Sequence, residues 1–232
     1  MNLQPTTSNL LPQLKVCGLT KQDQIQELIS TNVDFLGFIF YEKSPRYVLN
    51  HLSLEELSSI DHQGKVGVFV NEEADIIVKI VQSADLNFVQ LHGDENNDFI
   101  AELRQKLNPE VGIIKVIRIG NNAAENKINI TQAFNFQPTT CNLQPITYYL
   151  FDTDSKAFGG TGQQFDWNIL NELEIPLPYF LSGGISEDNI CDVKTLKQQP
   201  FALDINSKFE TEPGSKNIDS IKKFKTLYQQ NK

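Results

Sequence analysis

Short apolar runs, separated by amphipathic or polar stretches, recur along the whole chain. Leu14 to Gly18, Phe35 to Phe40, Lys65 to Val70, Asn87 to Gly93, Gly112 to Ile119, a run ending at Asp152, Pro178 to Gly184 and Phe201 to Ser207 read as eight strands. Short runs that stay apolar through both alternations mark parallel strands buried on both faces. The stretches between them predict helices. Thr20, with Asp23 three residues on, resembles a capping box opening a helix to about Ser30. A second helix lies near Ser53 to Ile60. Asn71 is a suitable cap for the acidic turn Glu72-Glu73 and a helix to about Ala84. Further helices are expected from about Asn97 to Leu107, weakly from Ala123 to Phe134, briefly near Asp166, from a Ser186 cap to about Leu196, and from Asn217 to Gln230. Eight strands alternating with eight helices, with no linker, predict a single-domain α/β protein. A closed (β/α)8 TIM barrel fits better than an open sheet. At 232 residues it is a short variant, so some helices must be small. The barrel is expected over 14–232, behind a polar leader at 1–13, and the Asn-, Gln- and Thr-rich stretch 121–147 reads as a surface insertion.

Composition narrows the partners. Hydrophobic residues at 40% and charged residues at 21% suit a globular protein. A net charge of −9 argues against nucleic acid, which calls for a basic face. It leaves an anionic small molecule open, because a pocket can be locally positive. Cys17, Cys141 and Cys191 form no CxxC pair and are odd in number, which points to a reducing compartment. The first residues lack a basic segment followed by an apolar one, and no run reaches the length of a membrane span. The expected location is the cytoplasm.

In a barrel the chemistry sits at the C-terminal ends of the strands. Those ends carry Cys17, Arg46 in the second loop, His92, Arg118, Asp152, Gly183-Gly184 and Asn206-Ser207. The expectation is that the ends of the first and sixth strands meet, with Cys17 and Asp152 as an acid–base pair. Singly, each residue has an ordinary explanation. A free cysteine packs as a small hydrophobe, Asp152 suits a turn cap, His92 suits a hydrogen-bonded core histidine, and Arg118 suits solvent.

The Gly183-Gly184 turn is more specific, since barrels bind phosphate at the loops after strands seven and eight. The loop Gly159-Gly-Thr-Gly162 offers mobility near Asp152 but is no dinucleotide fingerprint, which needs glycine where Phe165 stands. Strand alternation adds another expectation. Lys15 shares a face with Cys17 and Asp204 with Asn206, and the first and eighth strands are neighbours in a closed barrel. An interior Lys15–Asp204 pair follows.

Together, Lys15-Val-Cys-Gly-Leu-Thr20, Gly37-Phe-Ile-Phe with Ser44-Pro-Arg46, Gln90-Leu-His-Gly93, Phe151-Asp-Thr with Gly159-Gly-Thr-Gly, Phe165-Asp-Trp167, Leu181-Ser-Gly-Gly-Ile185 and the segment Asp204 to Lys216 resemble phosphoribosylanthranilate isomerase. The motifs run in that family's order from about Leu14 onward. The resemblance implies an Amadori rearrangement of N-(5-phosphoribosyl)anthranilate to 1-(2-carboxyphenylamino)-1-deoxyribulose 5-phosphate, in tryptophan biosynthesis and without a cofactor. It implies Asp152 as general acid on the ribose ring oxygen and Cys17 as general base on the C2 proton. Arg46 would hold the anthranilate carboxylate, Gly183, Gly184, Asn206 and Ser207 the phosphate, with His92 and Asp204 also on the binding wall. A thiol at ~8.5 is mostly protonated at neutral pH, so the base role asks for a nearby positive charge.

Three features depart from the family pattern: Lys208 in place of a glycine, the polar insertion and the leader. A histidine-pathway phosphosugar isomerase, which works with two aspartates, is disfavoured by Cys17. A non-catalytic phosphosugar-binding barrel is disfavoured by the presence of both Cys17 and Asp152. The expected partner is a small phosphosugar, with no nucleic acid and no membrane, bound by a monomer or homodimer.

Overall fold

The computed structural model describes residues 11–120, 122–134, 145–154 and 164–230. The Gly159–Gly162 loop, Cys141, most of the leader and most of the polar insertion lie outside them. Eight parallel strands close into a barrel in chain order. They are β1 (Gln13–Cys17), β2 (Phe35–Ile39), β3 (Lys65–Phe69), β4 (Phe88–Leu91), β5 (Gly112–Ile119), β6 (Tyr148–Thr153), β7 (Tyr179–Leu181) and β8 (Ala202–Ile205). The outer ring holds α1 (Gln22–Ser30), α2 (Leu54–Ser58), α3 (Ala74–Ser83), α4 (Asn97–Lys106), α5 (Ala123–Phe134) and α6 (Ile218–Gln230). After β6 and β7 the helices are 3-10 segments, Trp167–Glu172 and Ile190–Thr195. A small antiparallel hairpin, β9 (Glu210–Glu212) and β10 (Ser215–Lys216), follows β8.

Three expected caps are corrected: the side chains of Thr20 and Asn71 are recruited elsewhere, and Ser186 is held in a turn through its backbone N–H. Thr20 does not cap α1, which starts after Lys21; its hydroxyl donates to the Gly214 carbonyl at 2.7 Å, tying β1 to the hairpin. Asn71 does not cap α3. It sits at φ 51, and its Oδ1 accepts from the Asp94 N–H at 2.7 Å, locking the loops after β3 and β4 together. Ser186 opens no α-helix. Asn189 accepts from the Ser186 N–H at 2.8 Å and donates to the Gly184 carbonyl at 2.9 Å, folding the segment into a turn that leaves only the short 3-10 helix. Where no tertiary partner competes, local chemistry holds: Ser53 and Glu56 form a reciprocal capping box on α2, and Asn96 caps α4.

Two apolar layers hold the barrel. The larger lies between strands and helices. The smaller fills the interior, with Phe35, Val66, Ile114, Leu150 and Phe180 at its centre. Phe35, Phe88 and Tyr148 are the first residues of β2, β4 and β6, and Phe201 immediately precedes β8. These four even-strand aromatics form a floor, with Phe35–Phe88 centroids 5.5 Å apart and Tyr148–Phe201 stacked at 4.8 Å. Alternate strands supplying one layer is the packing expected of this barrel, and each such ring pair adds about 0.5–1.5 kcal/mol beyond its buried area. The floor stops the N-terminal end.

Closure sets the expected ion pair in place. β1 and β8 align Lys15 opposite Asp204, and Lys15 Nζ donates to Asp204 Oδ1 at 2.9 Å, with the lysine fully buried. Among the described residues no helix is long and apolar enough to cross a membrane.

Candidate active site

A cavity of about 390 Å³ opens at the C-terminal ends of the strands. Cys17, Arg46, His92, Asp152 and Asp204 line it, and Gly183, Gly184, Asn206 and Ser207 form the wall at the ends of β7 and β8. Arg118 lies outside, paired with Asp94. Among the described residues no group of three or more His, Cys, Asp or Glu is placed to hold a metal ion.

Asp152 is the penultimate residue of β6 and is buried, with Oδ1 accepting from the Thr153 N–H at 2.9 Å. Burial, then the charge of Asp204, raises its pKa to about 6, against the pull of the Thr153 and Ser182 hydrogen bonds and of Lys15. His92 Nε2 lies 3.5 Å from Asp152 Oδ2. This is a polar contact rather than an ion pair: burial, followed by Lys15, Arg118 and Lys115, pushes the imidazole down to about 3, so it is neutral. Gln90 supports it, with Nε2 3.2 Å from His92 Nδ1. Gly183 packs against the acid. At φ 82, an added Cβ would lie 2.5 Å from Thr153 Oγ1 and 3.4 Å from Asp152 Oδ1.

Cys17 ends β1, buried and opposite Gly37 of β2. A Cβ on Gly37 would sit 2.9 Å from both the Cys17 sulfur and its Cα, so the missing side chain is what gives the thiol room. Burial raises the thiol pKa, Lys15 and Lys216 lower it, and Asp204 raises it, for a net rise. Gly37→Ala is expected to displace the sulfur, cutting turnover at least about tenfold with an overpacking cost of ~1–3 kcal/mol. Thermal melting and turnover measured on the same preparation check it, and an unchanged rate would show that the thiol has other room.

The loop side holds an ionic chain. Glu210 receives Arg46 Nε at 3.0 Å and Nη2 at 2.6 Å, and its Oε1 receives Lys216 Nζ at 2.7 Å. Lys216 also donates to Asn206 Oδ1 at 2.8 Å. Burial alone would raise the Glu210 pKa, but Arg46 and Lys216 outweigh it and hold it low. One edge of the Arg46 fork is therefore already occupied, and Nη1 makes no hydrogen bond among the described residues. Lys208 stands in the 3-10 turn Ser207–Phe209 without a positive φ, exposed and lining the cavity, so glycine is not required there.

A family model for N-(5'-phosphoribosyl)anthranilate isomerase matches residues 14–226. The chain belongs to this family. It is an isomerase of tryptophan biosynthesis. An isomerase of that name from Staphylococcus haemolyticus is 35% identical over 204 residues, covering 86% of this chain and 90% of the relative. One from Microcystis aeruginosa is 35% identical over 214 residues, covering 90% and 93%. The solved phosphoribosylanthranilate isomerase of Thermotoga maritima superposes with a TM-score of 0.76 at 28% identity, covering 95% of this chain and all of that one. Another solved isomerase, 26% identical with a TM-score of 0.72, is in complex with reduced 1-(o-carboxyphenylamino)-1-deoxyribulose 5-phosphate.

Several residues around this cavity were not among the strand-end candidates of the sequence. Gln90 on β4 supports His92, Ser182 just past the end of β7 acts on Asp152, and Glu210 and Lys216 come from the hairpin. The Glu210 motif is visible in the chain, but its partner Arg46 is 164 positions away. Gly37 was visible only as part of a motif, because an absent side chain announces nothing about which neighbour needs the space.

Proposed function

We propose that Asp152 and Cys17 divide the Amadori rearrangement of N-(5-phosphoribosyl)anthranilate between them. Protonated Asp152 gives its proton to the ribose ring oxygen as the C1–O bond breaks, leaving a Schiff base. Cys17 then removes the C2 proton, and the resulting enolamine tautomerises to the ketone. The observation behind this assignment is that two buried proton-transfer groups, from β6 and β1, face one cavity, and that burial brings Asp152 to about 6. A general acid works best with a pKa near the working pH. Neutral His92 contacts the acid without competing for its proton.

Arg46, held by Glu210, meets the anthranilate carboxylate with its remaining Nη1 donors. Gly183, Gly184, Asn206 and Ser207 receive the phosphate, with Lys208 adding charge at the rim. Arg46→Ala is expected to raise KM for phosphoribosylanthranilate about tenfold or more while kcat changes less, because hydrogen bonds to a charged group contribute roughly 1.5–3 kcal/mol. Steady-state kinetics with freshly generated substrate measure it; an unchanged KM would move the carboxylate elsewhere. The assembly is a monomer or homodimer: a Thermotoga maritima relative, 26% identical with a TM-score of 0.73, is described as dimeric and as yielding monomers.

A further inference from the structure

A buried lysine beneath a buried thiol calls for an explanation. Lys15 is fully buried on β1, two residues before Cys17 and on the same face, yet it does not line the cavity. Burying an ammonium is unfavourable unless it is paired. Asp204 Oδ1 takes one of its three N–H donors at 2.9 Å. Cys17 stands two residues further along the same face of β1, also buried, so the ammonium's charge acts on the thiol.

We propose that Lys15 is a positioning residue for the base: anchored by Asp204 on the neighbouring strand, it holds its ammonium under the Cys17 sulfur and stabilises the thiolate. It touches no substrate. This rests on the assignment of Cys17 as base and supplies the positive charge that role requires. The proton bookkeeping is simple. When Cys17 takes the C2 proton the thiolate becomes a thiol, Lys15 stays cationic, and Asp204 remains its counter-charge. Burial alone would lower the Lys15 pKa, but Asp204 and Cys17 outweigh it and raise it, so the ammonium does not itself act as a base.

Other charges face the same thiol. Lys216 from β10 acts in the same sense as Lys15, and Asp204 from β8 in the opposite sense. The Arg46 stem crosses the adjacent Gly18, while Asp152 and His92 stand on the cavity wall with Cys17. Lys15 has the largest charge effect on the thiol. A purely structural role, fixing the closure of β1 on β8, would leave Cys17 titration untouched.

The test is thiol titration in the full chain carrying Cys141→Ser and Cys191→Ser, so that Cys17 is the remaining thiol. Thiolate ultraviolet absorbance and the iodoacetamide alkylation rate are followed against pH. Lys15→Met is expected to move the Cys17 titration up, slowing alkylation at a fixed pH by about tenfold or more, the size an adjacent opposite charge commonly gives. Asp204→Asn is expected to move it down. Lys15→Arg should restore much of the lost thiolate. An unchanged titration in folded Lys15→Met, or equal shifts in the two single variants, would overturn the proposal.

If Lys15→Met does not fold, Lys15→Met/Asp204→Asn leaves no lone buried charge. Its titration should still rise, because the larger influence has gone, and no rise would again overturn the proposal. Full turnover in Cys17→Ala would remove the base assignment, while the titration would still report whether Lys15 acts on the thiol.

Discussion

Asp152→Asn is expected to lose turnover by a factor of ~10²–10⁴, the usual contribution of a positioned general acid, while keeping the fold and the ligand. The amide has the carboxyl's shape and can still accept the Thr153 N–H, but it cannot give a proton to the ring oxygen. Stability separates loss of chemistry from loss of fold. Asp152 rises from an ordinary 3.8 to about 6 in the folded protein. The stability it lends as a neutral group is therefore fully present below about pH 4 and is lost as pH rises through about 6. At neutral pH its ionisation opposes folding by about 3 kcal/mol. The neutral amide escapes that, so the variant should melt no lower than the wild type at pH 7.

Wild-type kcat/KM should rise through about pH 6. Below it both Asp152 and Cys17 carry protons and no base is present. Above it one proton is shared between the two groups, and the productive arrangement keeps a constant share until the thiol titrates at its raised value. Turnover, melting and binding of reduced 1-(o-carboxyphenylamino)-1-deoxyribulose 5-phosphate check these points together. A wild-type rate in the variant would take Asp152 out of the mechanism.

Cys17→Ala should lose turnover to a similar extent, but at a different step. Ring opening by Asp152 remains available, whereas removal of the C2 proton does not. Substrate deuterated at C2 should lose its label with the wild-type enzyme and keep it with the variant, while ligand affinity stays near wild type. The space vacated is one sulfur atom beside Gly37, too little to upset the surrounding strands. Label loss at the wild-type rate would assign the base to another group.

The barrel was legible because apolar runs buried on both faces leave a strong periodic trace. That trace also exposed the Lys15–Asp204 pair, since alternation fixed the faces and closure fixed the neighbours. What escaped the sequence was whatever depended on a competition between local and distant partners. Thr20, Asn71 and Ser186 are sound caps by composition, yet each side chain or its neighbouring amide is engaged in a loop contact. The cavity's charged outline was legible residue by residue at the strand ends. Its support was not, because Glu210, Lys216 and Gly37 act through neighbours brought close only by closure.

The aromatic floor turns the barrel from a tube into a cup. Whatever enters by the rim must leave by it, so incoming substrate and departing product share one doorway and cannot pass one another. A tightly held ligand is then a stopper: it should inhibit by exclusion, with its effect always relieved by enough substrate, and no molecule can be handed onward through the axis of the protein.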